Sequence, residues 1–463
     1  MRHKKTRCTP VRILLPLLAI FLCFLVMSGV CATARAQTGA SMPLTLSQAI
    51  DLALKQNRSL RLAHLAVHET EDKKEIARSD YLPHIKNESA LLHITDLGGV
   101  TIPTGALGDF AATGPVPAQN LTIGQGALTT YTSGTGLEQP LTQMFKIREE
   151  NRAAAADINT AKITLNQAED EVALKVRQLY YGILIAQLKQ QAANEQVAAG
   201  QVADQESARA VKEGQALDVA QLETRASLLD AQQSALTQNL QIHDLMLTLD
   251  DLLGLPLNTQ LQLNADVSAE SLSIPSREEC VHISQENSPD IRAAQQTVLK
   301  ARAGFAAAKD AYIPDITALA RYSYQSGVPI LARNFGTFGF SFTYDLFDGG
   351  RRSAEIDDAR TQRSQAELNL EKVQDEVRVQ VEAAYDKVEQ LQNMVGVADE
   401  LLKVRMEAAR LSDQQYEQNE VLASVRASAH AKLADAKASY LEANLGLSLA
   451  QGELDRTIGR IPR

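Results

Sequence analysis

His64 and His68 stand four residues apart and would share one face of a helix, the spacing that zinc-binding helices use. A zinc site needs further ligands, and a zinc hydrolase a catalytic acid at a fixed offset. The pair has no third ligand and no catalytic acid at the right offset, so it reads as a solvated helix face. Gly98-Gly99 and Gly124-Gln125-Gly126 are rich in glycine but lack the strand-to-helix context of a phosphate loop. No nucleophile has a base at recognisable spacing. The expectation is a chain with no catalytic residue, no cofactor and no metal, whose work is not enzymatic.

Composition narrows the partners. Arg2, Lys4, Lys5, Arg7 and Arg12 precede an apolar run from Ile13 to Val26, and Ala34-Arg35-Ala36 offers a cleavage site between Ala36 and Gln37. That run is short for a spanning helix and contains Pro16. Val30 is bulky where a lipoprotein signal ending at Cys31 needs a small residue. Residues 1–36 therefore read as a signal peptide. Its removal takes six of the 46 basic residues and leaves 40 against 56 acidic ones, a balance that repels nucleic acid. Cys8, Cys23 and Cys31 leave with it, so Cys280 has no partner for an internal disulfide.

With no chemistry to place, the elements themselves become the message. From Gly349 to Arg410 the chain has no proline, and apolar or small residues recur at Ala384, Val388, Leu391, Val395, Ala398 and Leu402. Steps of three and four make a heptad seam, on a helix roughly 90–100 Å long. Such a rod needs neighbours of its own length. An internal copy supplies one: Leu141, Val172, Val176, Ile183, Ala193 and Gly254 recur 205 residues later as Leu346, Val377, Val381, Val388, Ala398 and Gly459. Nearer the N-terminus the offset is 231, matching Tyr81-Leu-Pro83 to Tyr312-Ile-Pro314. It also matches the capping-box signals Thr45-x-x-Gln48 and Ser276-x-x-Glu279. The first copy carries 26 extra residues between Ile85 and Leu141.

Between the helices the texture changes. Phe338, Phe340, Phe342 and Tyr344 alternate with Gly339, Ser341, Thr343 and Asp345, so period two puts aromatics on one face and small polar residues on the other. Tyr322 and Tyr324 sit likewise on a preceding strand. In the first copy, 84–95 and 127–137 read as strands joined by a long Gly/Pro loop. No second apolar layer exists to cover the aromatic face, and strands of about ten residues, apolar outward and polar inward, are the mark of a membrane barrel. Two strands per repeat leave open edges, intolerable within lipid, so closure needs further copies. Two copies would give eight strands and a filled interior; three give twelve and a lumen. The helices are too long and too charged for a bilayer and must project into water.

These features together resemble the TolC-like outer membrane efflux proteins. The likeness covers almost the whole mature chain. It rests on Leu44-Thr-Leu-Ser-Gln-Ala-Ile-Asp-Leu-Ala-Leu54, the paired Tyr-x-Pro stops, Leu346-Phe-Asp-Gly-Gly-Arg351 and the duplicated hairpins. It implies a mostly α fold with a transmembrane β part. That fold is a homotrimer whose twelve-stranded β-barrel, set in outer membrane lipid of a Gram-negative bacterium, continues into a periplasmic α-helical barrel. The partners implied are a periplasmic adaptor (membrane fusion protein) and, through it, an inner membrane transporter, in tripartite efflux or type I secretion. On this scheme 37–57 is an N-terminal equatorial segment and 58–254 the first repeat, with a β-hairpin at 84–140 and a tip near 214. Residues 255–286 form an equatorial connector. The second repeat is 287–459, with a β-hairpin at 315–347 and a tip near 419, and 460–463 is a tail.

The resemblance also implies that the hairpin tips form an aperture and the docking site for the adaptor. Gly214, Leu217, Asp218 and Val219 mark the first tip; Tyr416, Asn419, Val421, Leu422 and Val425 mark the second. Tyr416 matches the family's tyrosine and Asn419 its turn glycine. Val421, Val425 and Ser428 fall where the family carries an arginine and two aspartates, so a closed state held by charged links at the second tip is not expected. Asp218 is placed to face the aperture, although an acid in a helix's first turn is also favoured by the helix dipole alone. A reading from another class is a periplasmic coiled-coil adaptor or structural rod, whose hairpins alone would look the same. The Phe338–Tyr344 stripe separates the two, since a rod has no use for a face that needs lipid.

Overall fold

The computed structural model describes residues 42–124, 126–257, 259–264, 274–327 and 332–460. The expected cleavage site at Ala36 and Gln37 lies outside them. The duplication is plain in the element lengths. Helices α1 (Leu46–Gln56) and α5 (Arg277–Asn287) both have 11 residues, and α2 (Arg58–Ser79) and α6 (Pro289–Asp310) both have 22. The long rods α3 (Met144–Lys212) and α7 (Arg351–Glu417) have 69 and 67 residues, and their return helices α4 (Asp218–Leu253) and α8 (Ala423–Thr457) have 36 and 35.

Thr45 opens α1 with a complete capping box: its Oγ1 accepts from the Gln48 backbone N–H, and its own N–H donates to Gln48 Oε1. At the equivalent place Ser276 accepts from the Glu279 N–H, without the reciprocal bond from the Glu279 side chain. The second capping signal is therefore half realised.

The core sits where the short helices meet the rods, and it too is built twice. Around α1, Ala49, Leu60, Val172, Val176, Ile183, Leu249 and Leu253 are buried together. Their counterparts Cys280, Ile291, Val377, Val381, Val388, Leu454 and Ile458 are buried around α5. Each large apolar side chain buried there contributes about 1.5–3 kcal/mol. Strands β1 (Met42–Leu44) and β8 (Leu261–Leu263) pair in parallel and join the copies. The buried Tyr180 hydroxyl donates toward Leu44 O and Asn264 O, 2.9 Å from each, and pins that ribbon to α3.

The rods form one layer. Toward the strands the order is α2–α3–α6–α7, and toward the tips α4–α3–α8–α7. Each row has two edges, α7 on one side and α2 or α4 on the other. Both edges expose apolar side chains, among them Leu368, Val379 and Val397 on α7 and Leu222, Leu236 and Leu240 on α4.

Four strands form the main sheet, β2 (His84–His93), β7 (Thr129–Pro140), β9 (Asp315–Ser326) and β10 (Asn334–Thr343), in the antiparallel order β10-β9-β7-β2. The two central strands come from different copies. Thr142 fastens the seam, donating to Pro314 O at 2.7 Å and accepting from the Ile316 N–H at 2.8 Å. The connection between β2 and β7 is not the irregular loop that its Gly/Pro content suggests. It folds into two small antiparallel ribbons, β3 (Gly99–Ile102) with β6 (Leu121–Gly124) and β4 (Asp109–Phe110) with β5 (Gly114–Pro115). Its glycines serve positive φ at Gly105 and Gly108 between β3 and β4, and at Gly114 where β5 begins. Among the described residues no helix is long and apolar enough to cross a membrane.

Candidate functional site

The two tips are built alike. After α3 the chain turns through Gly214 at φ 73°, and after α7 through Asn419 at φ 60°, the only non-glycine with positive φ among the described residues. The next residue closes each turn, with Gln215 N–H donating to Ala210 O and Glu420 N–H to Gln415 O. Asparagine is the non-glycine residue that best tolerates this left-handed backbone. Leu217 and Leu422 then precede α4 and α8 in extended conformation, and neither helix start receives a local side-chain cap.

Asp218 is exposed in the first turn of α4. Leu217, Val219 and Leu222 on the first tip, and Leu422 and Val425 on the second, are exposed apolar side chains. Val421 and Ser428 are half-buried.

Charges do gather at the second tip, at residues the spacing did not single out. Arg426 Nε donates to Asp413 Oδ1 at 2.7 Å, and His430 Nε2 lies 2.9 Å from the same oxygen. The Arg426 guanidinium also covers the Tyr416 ring, 5.1 Å from its centre. The hydrogen bonds with His430 and then Arg426 hold the Asp413 carboxyl below the usual carboxylate range. This network ties α7 to α8 within one hairpin. Glu206 of α3 reaches across and accepts from the Ser424 N–H at 3.3 Å, giving α8 the cap it lacks locally. The signal was present in the sequence, since Arg426 and His430 stand i, i+4 on α8 facing the end of α7. It was hidden because the pairing crosses the turn.

Where the strands hand over to the rods, Leu346-Phe-Asp-Gly-Gly-Arg351 acquires a job. Asp348 accepts from the Gly350 and Arg352 N–H groups and from Arg352 Nε at 2.6 Å. These bonds, the Arg352 side chain first, lower its pKa to about 2. Arg352 also donates to Asp345 O and lies over the rings of Tyr344 and Tyr312. Elsewhere His64 sits 3.9 Å from Glu169 and His68 3.4 Å from Glu71. No group of three metal-type ligands occurs among the described residues.

Register assigns the two faces of the main sheet. Phe338, Phe340 and Phe342 share a face with Ala320, Ala318 and Ile316 of β9, then with Leu137 of β7 and Ile85 of β2. Lys86, Glu88, Glu138, Asp315 and Arg321, every lysine, arginine and carboxylate of the four strands, lie on the other. Phe338 is 90% exposed and Phe340 75%, so none of the described residues covers the aromatic face.

The family described as outer membrane efflux protein matches residues 49–255 and 281–460. The chain belongs to that family. Among solved structures, the CmeC outer membrane channel of Campylobacter jejuni matches with a TM-score of 0.72 at 16% identity, over 89% of this chain and 85% of that one. The open-state MtrE channel of Neisseria gonorrhoeae matches at 0.69 and 19% identity, over 89% and 88%. Among curated proteins no relative matches. As an outer membrane efflux protein the chain is a passive exit duct, with a β part in the outer membrane and a large helical part in the periplasm. The family is one of conduits rather than enzymes.

Proposed function

We propose that three copies assemble this duct, closing the sheets into a twelve-stranded barrel and the helical layers into a tunnel. On this reading the tips receive a periplasmic adaptor, and through it an inner membrane transporter that supplies the energy. One observation carries it: sheet and helical layer end in matched open edges. Among the described residues β2 and β10 have no partner on their outer sides, and they run antiparallel to one another, so β10 of one copy can pair with β2 of the next. An open strand edge in lipid costs several kcal/mol for each unpaired backbone group, and closure removes that cost. The same rotation brings the apolar edge of α7 against α2 and α4 of the neighbour. The aromatic face, with Phe338, Phe340, Phe342 and Tyr344, turns to lipid, and the charged face lines the lumen. A periplasmic rod or adaptor would need neither face.

At the tips, Leu217, Val219, Leu422 and Val425 offer apolar contacts to the adaptor, while Gly214 and Asn419 set the shape of the turns. Reconstitution tests the duct: the purified protein gives discrete conductance steps in planar bilayers. Failure to produce any step from correctly assembled material contradicts the reading. Leu217→Asp combined with Leu422→Asp should abolish efflux in cells while leaving those steps intact.

A further inference from the structure

Midway along β9, Arg321 lies on the charged face, directly opposite Gly136 of β7. Its side chain does not stand away from the sheet. It turns aside over the next residue of that row, Gly134, so closely that a Cβ there would lie 2.5 Å from Nε and Nη2. The register partner of Gly134 on the far side is Glu88 of β2. The Glu88 carboxylate sits 3.5 Å from Arg321 Nη1 and 2.8 Å from Lys86 Nζ.

Strands are about 4.8 Å apart, so Arg321 and Glu88, two strands removed, face each other across a row that any side chain at 134 would fill. Gly134 does not have positive φ, so its backbone makes no demand for glycine. Glycine weakens a strand interior and often marks the close approach of another group. Here that group is a guanidinium.

We infer that Gly134 is a cradle that lays Arg321 flat against the wall beside Glu88. The two together with Lys86 then set the width and charge preference of the lumen for the ions and charged small molecules that pass. Each copy contributes two cations and one carboxylate at this level, and a ring of charged side chains is a standard source of selectivity in a pore. The inference rests on the duct reading, in which this face lines the lumen.

The test uses the purified, assembled protein. Phenylglyoxal, an arginine reagent that reaches the barrel from its open mouth, is applied to wild type, Gly134→Val and Glu88→Gln, and the adduct at Arg321 is followed by peptide mass spectrometry. Reversal potentials under a potassium chloride gradient are measured on the same samples. Arg321 reacts faster in both variants, and both shift toward chloride. Adding Arg321→Gln to Gly134→Val takes the potential back toward wild type. An Arg321 reaction rate equal to wild type in both variants, or no chloride shift in either, overturns the inference. Wild-type protein that assembles yet conducts nothing overturns the duct reading instead.

Discussion

Single side chains show where sequence reading reaches and where it stops. The motif ending at Arg351 was legible as part of a family likeness, but its chemistry was not, because Asp348 accepts from backbone N–H groups and from Arg352, one residue beyond the motif. The sign of its pH dependence follows from its lowered pKa. The anchor is fully present above the ordinary carboxylate range and is lost as pH falls through about 2. Asp348→Asn should therefore lower thermal stability at pH 7, and the gap from wild type should close toward pH 2 in parallel melts. Tyr180 makes a second residue-scale case. Nothing in its spacing marked it out, yet its hydroxyl serves two backbone carbonyls. Tyr180→Phe should cost about 1–3 kcal/mol in denaturant unfolding, the penalty for buried polar groups left without a partner. A change near zero would mean that water replaces the hydroxyl. The Asp413–Arg426–His430 network was missed for a related reason, since a pairing that crosses a turn has no helical period to announce it.

Elements were read more securely. Heptad spacing and the absence of proline announced a long rod, and α7 runs 67 residues without a break; the two left-handed turns, at Gly214 and Asn419, stand 205 residues apart, the offset of the internal copy. The turn at Asn419 illustrates why: left-handed backbone narrows the choice of residue so far that Gly and Asn substitute for one another across the repeat. Gly214→Val, a β-branched residue forced to φ 73°, should cost about 1–2 kcal/mol and fray the tip in hydrogen exchange, whereas Asn419→Gly should be nearly silent. The ribbons between β2 and β7 were illegible, because their strands have only two to four residues and no alternation to count. Face assignment in the main sheet can be checked through Phe340→Arg. A cation turned toward lipid costs about 2–4 kcal/mol at mid-membrane, so the assembled form should fall relative to wild type, while Ser341→Arg on the opposite face should assemble normally.

For the whole molecule, open edges recur at every level: two strands without outer partners, two helical borders with exposed leucine and valine, and an aromatic face with no cover. None of these could be read from one element alone. They emerged from counting strands against the edges a membrane forbids, and the folded chain shows the same deficit. Stoichiometry therefore decides whether these edges close on one another. Native mass measurement of the protein extracted from outer membranes should give three chains in one particle. A particle of one chain or two, still inserted and still conducting, would contradict this closure.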